Sequence, residues 1–216
     1  MSVYPEITLM MDLTLKDVHD RLQLKFQYEQ QFEPFLTLQP LTVVERDRAT
    51  ELRQTWERYY IRGKVSEGQV NLLAVSPLLW STGYVLEPTL QIGMEEKIAE
   101  IAIEAGETLI QGRMDLVITR LQEQNKVPLC VLIIEAKNSA ISPATGLAQL
   151  LTYAGSFLAQ QDIVLGLVTN GIEYQFVHVE AGLYRQFRSL TLFSPQDAET
   201  LFAVAIAIRQ ATRAVR

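Results

Sequence analysis

Asp115, Glu135 and Lys137 are the residues whose types and spacing could do chemistry together. Asp115 lies in Gly112-Arg-Met-Asp-Leu-Val-Ile118, and Glu135 and Lys137 end the run Val131-Leu-Ile-Ile-Glu-Ala-Lys137. Each segment reads as an apolar strand with an acid near one end. Residues two apart on a strand point to the same face, so Glu135 and Lys137 project together. An acid and a lysine at the end of a buried strand are costly to desolvate unless they are paired or bind something. With Asp115 on a neighbouring strand, two carboxylates and one ammonium converge on one point. Hard oxygen donors of this kind suit Mg²⁺, which keeps several waters and shares phosphate oxygens. The same three residues also fit a partly exposed salt-bridge cluster at a strand end.

Gln149 and Tyr153 are four apart, so on a helix their polar tips share one face. Plain helix surface with a half-buried aromatic is the alternative reading. Glu67 follows Ser66 at a helix start, where an acid is also favoured by the helix dipole alone. Arg113 sits beside a turn, within reach of a phosphate or simply at the surface. Glu95, Glu96 and Glu100 read as a solvated acidic face. His19 and His178 lack ligand spacing for zinc. No glycine-rich phosphate loop or Ser/His/Asp arrangement stands out.

An Asp followed by Glu-x-Lys at the end of a hydrophobic strand resembles the PD-(D/E)XK nuclease superfamily, which includes restriction endonucleases and DNA-repair nucleases. Gln149-Leu-Leu-Thr-Tyr153 resembles the Gln-x-x-x-Tyr element of one branch, which contains the nuclease domains of type I restriction R subunits. Ser66-Glu67-Gly-Gln-Val-Asn-Leu-Leu resembles the start of the family's first core helix, with Glu67 matching its acidic residue. The resemblance spans residues 66–174, and Met114 stands where the superfamily's name has proline. It implies that Asp115 and Glu135 bind one or two Mg²⁺ ions, with Mn²⁺ as an alternative, helped by the Ala136 carbonyl. Lys137 would position the attacking water, and Glu67 would assist the metal. Gln149 and Tyr153 would contact the DNA backbone or orient the catalytic groups, with Arg113 as a further DNA-contact candidate. The implied reaction is in-line hydrolysis of a DNA phosphodiester. The implied partners are DNA and either a second copy or a companion restriction–modification subunit.

The elements that must position these residues follow from periodicity. The first third reads as helical: Leu13, Leu15, Val18, Leu22, Leu24 and Phe26 suit an amphipathic helix, although alternation at the last three weakens it. Pro34 and Pro40 mark a break, and residues 42–62 are rich in helix formers. A helix over 66–80 opens on a Ser cap and turns or restarts near Pro77. Strands are expected over 84–90, 98–104, 108–119 and 127–136, with a turn at 104–107. The run 129–134 is too continuously apolar for a half-exposed strand. A helix over 143–160, a strand over 163–169, an Asn170-Gly171 turn and a partner strand over 172–179 follow. Ser194-Pro195 opens a last helix with arginines at its far end. The expected fold is α/β, a restriction-endonuclease-like core with a mixed central sheet flanked by helices over 66–216, preceded by a helical extension over 1–65.

Bulk composition narrows the function classes. With 48% hydrophobic and 20% charged residues among 216, the chain has globular rather than disordered proportions. There is no apolar run long enough for a membrane span and no secretory signal pattern at the N-terminus. The single cysteine, Cys130, sits in an apolar run and reads as a buried thiol in a reducing cytoplasm. Residues 1–108 carry 10 Lys and Arg against 17 Asp and Glu, whereas residues 109–216 carry 9 against 8. That balance argues against tight, unaided DNA binding, because phosphate neutralisation supplies most of such affinity. The alternative function is therefore a non-catalytic nucleic-acid-binding or assembly module that keeps the fold.

Overall fold

The computed structural model describes residues 6–9, 13–33, 35–97, 101–103, 108–111, 113–121 and 128–211. Strand β1 (Glu6–Leu9) is followed by helix α1 (Leu15–Leu22), opened by a Thr14–Asp17 capping box. The helix ends at Gln23, which takes a left-handed φ of 51°, and the chain leaves as strand β2 (Lys25–Glu29). The single helix expected through Phe26 is thus cut short. Phe26 belongs to this strand, with Leu24 just before it, and the strand's first N–H, on Lys25, bonds the Gly182 carbonyl at 3.0 Å. Helix α2 (Val43–Tyr60) has a second capping box, Thr42 with Glu45, and buries Ala49, Leu52 and Trp56 at helical spacing.

The helix expected over 66–80 is present in three parts: α3 (Glu67–Val70), a π-helical turn (Asn71–Val75) and α4 (Ser76–Ser81). Ser66 caps it together with Gln69. Pro77 has no N–H and its ring would crowd the carbonyl four residues back; the wider π turn just before it absorbs the mismatch. Residues 84–90, expected as a strand, form successive turns instead. Gly83 has φ 83°, Glu87 N–H bonds Tyr84 O and Leu90 N–H bonds Glu87 O. Tyr84 is buried, with its hydroxyl donating to Ala205 O at 2.8 Å.

Strands β3 (Leu90–Lys97), β4 (Ile101–Ile103), β5 (Thr108–Gln111), β6 (Arg113–Leu121) and β7 (Pro128–Ala136) follow. The single strand expected over 108–119 is two strands in two sheets, the first ending at Gln111 and the second beginning at Arg113. The expected turn at 104–107 lies outside the described residues, although Ile103 pairs with Thr108 across it. Next come a 3-10 turn (Pro143–Gly146) and helix α5 (Leu147–Leu158). Strands β8 (Ile163–Thr169) and β9 (Glu173–Glu180) form the expected hairpin. Its Gly171 has φ 83°, and Asn170 Oδ1 accepts from the N–H groups of Ile172 and Glu173. Strands β10 (Leu183–Phe187) and β11 (Leu190–Thr191) and helix α6 (Pro195–Ala211) complete the chain.

Among the described residues the main sheet has eight strands in the order β2-β10-β9-β8-β7-β6-β3, with β11 on β9, and β1-β5-β4 form a small second sheet. The pairing is mixed: β7 with β8 and β10 with β2 are parallel, the rest of the main sheet antiparallel. Helices cover both faces. One core gathers Trp56, Leu78, Ile118, Leu132, Ile134 and Phe202, the other Val18, Val117, Ile133, Leu150 and Leu151. Burial of β7 on both faces explains its unbroken apolar run. The N-terminal residues are helical in α1 and α2 but also add β1 and β2, and Trp56 shares the first core with α6. A Cβ on Gly171 would come within 2.2 Å of the Trp56 ring, so the β8–β9 turn fits α2 only as glycine.

Candidate active site

The site forms where β6 and β7 part company. Their ladder runs to the pair Leu116–Ile134 and stops there. Two residues beyond Ile134, Ala136 N–H is taken by the Asp115 carboxylate, at 2.8 Å to Oδ2, so a side chain replaces a backbone partner. Glu135 and Lys137 follow on β7 and just beyond it, two apart as expected. Lys137 N–H bonds Thr169 O at 2.8 Å, which fixes the lysine's backbone against the end of β8.

Glu135 is 1% exposed. Its Oε1 accepts from Lys137 Nζ at 2.6 Å, and the same ammonium donates to Gln149 Oε1 at 2.9 Å. Gln149 thus holds the lysine's ammonium beside Glu135. Glu135 Oε2 is buried with no hydrogen-bond partner. A buried carboxylate oxygen without a donor is expensive, and such groups in folded proteins ask for a reason.

Electrostatics bring the remaining residues to the same place. Burial, reinforced by the Asp115 carboxylate and opposed by Lys137, pushes Glu135 up to about 8. Burial also raises Asp115, against the pull of the Ala136 N–H and Lys137, with Glu95 adding to the rise. Glu67 is raised by partial burial and then by Asp115. Tyr153, fully buried, is held well above the usual phenol range by burial and then by Glu135 and Asp115. Glu67, Asp115, Glu135, Lys137, Gln149 and Tyr153, drawn from α3, β6, β7 with the residue just beyond it, and α5, therefore share one site. Arg113 begins β6, and its side chain lies outside the described residues.

The loop after Lys137 ties Glu67 into place. Val65 N–H donates to Ser139 Oγ at 2.9 Å and Ser139 N–H to Val65 O at 3.0 Å, two residues before α3 begins. Gly146, at the junction of the 3-10 turn and α5, was not legible as a site residue. A Cβ there would stand 2.7 Å from Glu135 Cγ and 3.3 Å from Lys137 Cε, so this glycine lets the helix approach the pair. Its place three residues before Gln149 is the only sequence hint. Glu95, read from sequence as part of a solvated face, is close enough to Asp115 to shift its titration.

Among the described residues no three His, Cys, Asp or Glu side chains stand close enough to hold a cation unaided. The oxygens that a cation could take here are those of Asp115, of Glu135 with its unpartnered Oε2, and of the Ala136 carbonyl, with water to complete the shell. That all-oxygen composition fits Mg²⁺ or Mn²⁺ rather than zinc. A bound cation would reverse the like-charge penalty that now raises both acids. No protein-family model matches this chain, and no curated protein matches it.

Proposed function

We propose that this chain is a Mg²⁺- or Mn²⁺-dependent deoxyribonuclease of the PD-(D/E)XK kind, hydrolysing DNA phosphodiester bonds. The observation that carries the reading is the buried Glu135, one oxygen on Lys137 and the other without a donor, beside Asp115. Bound there, a divalent cation would lower the pKa of a water and neutralise phosphate charge. Asp115 and Glu135 would hold it, with the Ala136 carbonyl as a third donor. Lys137 carries three donors. Two are spent on Glu135 and Gln149. The third is available to orient the attacking water and to meet negative charge developing on the phosphate. Water oxygen bonds to phosphorus as the bond to the 3′ oxygen breaks, leaving 3′-hydroxyl and 5′-phosphate ends. Glu67, on the solvent side, assists through a water, and Tyr153 stiffens the floor beneath the two acids.

DNA is the substrate in this reading, with a second copy or a companion restriction–modification subunit supplying basic surface that a chain of net charge −6 lacks. No helix among the described residues is long and apolar enough to cross a membrane; with Cys130 a buried free thiol, we place the protein in the cytoplasm. That acidic balance also favours a second reading, a binding or assembly module that keeps the fold without cutting. Incubation of supercoiled plasmid and single-stranded DNA with the protein, in Mg²⁺ and in EDTA, separates the two. Nicking or cutting in Mg²⁺ only, lost in Lys137→Ala, is expected. Full activity in Lys137→Ala would sink the mechanism, and no cutting of either substrate would favour the module.

A further inference from the structure

Helix α2 turns a stripe of residues to solvent: Val44, Asp47, Glu51, Gln54, Arg58 and Ile61 are all exposed, opposite the buried Ala49, Leu52 and Trp56. Ile61, the capping residue, keeps helical backbone angles at φ −64°. Spacings of three and four in alternation hold such a stripe on one side of a helix. Here the alternation runs three, four, three, four, three, and so reads the same in both directions. The stripe ends in apolar side chains open to water, Val44 at 66% and Ile61 at 81% exposure. Two grooves flank it. One, of about 880 Å³, runs beside Arg58 and Ile61 over Tyr60 and Phe193; the other, of about 460 Å³, lies between α2 and α4, with the exposed Leu72 and Trp80 on its far wall. Most charges of α2 are satisfied within the helix or at its start: Arg48 pairs with Glu51 and Arg53 with Glu57, Glu45 belongs to the capping box, and Arg46 donates to Leu41 O. Asp47 and Arg58 are left over. Among the described residues neither makes an ion pair, and Arg58 donates only to Thr55 Oγ1, at 3.0 Å. They are of opposite sign and stand at equal distances from the middle of the stripe.

We infer that α2 is a surface for a second copy of this chain, the two α2 helices lying antiparallel about a two-fold axis that passes between Glu51 and Gln54. A two-fold axis makes every contact twice. Val44 then meets the partner's Ile61, Asp47 meets the partner's Arg58, and Glu51 meets the partner's Gln54. Apolar faces apolar, acid faces base, and a carboxylate faces an amide that can donate to it. Val44 of the partner subunit enters the groove beside Ile61, over the Tyr60 and Phe193 rings. A parallel pair would set each residue against its own copy, acid on acid and base on base, and such like-charge contacts repel. The stripe therefore fits itself in one direction only. A partner of different sequence would require no such symmetry, which is why a second copy is the occupant the helix favours. The helix precedes the residues of the nuclease resemblance, and pairing through it is independent of the chemistry at Glu135.

Sedimentation of the full chain across a range of concentrations, combined with charge reversal, tests the pairing. Wild type is expected to sediment as a dimer. Asp47→Lys sets a base against the partner's Arg58, and Arg58→Glu sets an acid against the partner's Asp47, each of them twice per dimer. Either substitution alone should weaken dimerisation by about 100-fold or more. Mixed in equal amounts, the two variants should pair with each other, since each then offers the charge that the other lacks. The double variant, Asp47→Lys with Arg58→Glu, should dimerise by itself. Rescue of this kind separates a lost contact from a damaged fold, because a misfolded chain gains nothing from a second reversal. A monomeric wild type, a dimer that survives both single reversals, or a failure of the mixture to pair would each overturn the role of α2. DNA cleavage by a monomeric wild type would overturn it and leave the nuclease reading standing.

Discussion

Strand β7 carries a polar demand at each of its ends, and the two ends meet it differently. At the Cys130 end the β6–β7 register slips by one residue, so Val131 is extra and the backbone needs other partners. Gln161 supplies them: its Oε1 accepts from Cys130 N–H at 2.8 Å and its Nε2 donates to Cys130 O at 3.1 Å. The thiol is buried and inert, pushed far above the usual range by burial. At the Glu135 end the ladder also opens, and Asp115 takes the Ala136 N–H, but one Glu135 oxygen is left with no donor. One strand thus has a closed end, where side-chain bonds satisfy the backbone, and an open end with an unmet polar demand, which in the proposed reading a cation would meet.

The largest effect expected from this contrast is on catalysis. Glu135→Ala should lower Mg²⁺-dependent DNA cleavage by on the order of 10³-fold or more, whereas Gln161→Leu at the closed end should leave kcat within a few-fold. A Gln161→Leu enzyme as dead as Glu135→Ala would break the comparison. Gly146→Ala comes next: its Cβ would fall 2.7 Å from Glu135 Cγ and displace the acid. A loss of about 100-fold in kcat/KM is expected for a misplacement of this size, with circular dichroism unchanged.

The open end should also reveal itself in stability. Glu135 sits at about 8 in the folded protein against an ordinary 4.5, so without metal the folded state keeps a proton that the unfolded chain has released between those values. Stability in EDTA should therefore be highest below about pH 4.5 as far as this group is concerned. It should fall as pH rises towards 8, by at most about 1.4 kcal/mol per pH unit. Urea unfolding of Glu135→Gln should lack this slope, and Mg²⁺ should flatten it in wild type by displacing the proton. The smallest effect belongs to the closed end: Gln161→Leu should cost about 1–3 kcal/mol for two stranded backbone groups, at every pH and without regard to metal. A metal-dependent cost there would blur the distinction between the two ends.

The parts of this arrangement that were legible in the sequence are those encoded locally. The apolar run of β7 declares double-sided burial, Gln149 and Tyr153 share a helical face by spacing, and Asn170-Gly171 names its turn. Acid and lysine two apart on one strand face the same way whatever the strand pairs with. What was not legible depends on partners distant in the chain. β2 is a strand because β10 offers an edge to it, and alternation over so few residues was outweighed by the preceding helix. Residues 84–90 have the β-rich composition of a strand, but Tyr84 is drawn into the core by Ala205. Glu95 is one acid among several until the β3–β6 register sets it opposite Asp115. Gly146 matters only because α5 passes close over Glu135.

Calorimetric titration of Mg²⁺ into wild type and Glu135→Gln at a pH just above 8 tests the central claim most directly, since Glu135 Oε2 is the atom said to await a cation. Binding in wild type, weakened by about 100-fold or more in Glu135→Gln as expected for removal of a charged ligand, is the predicted result. Equal affinity in the two proteins, or no binding by wild type, would contradict the account.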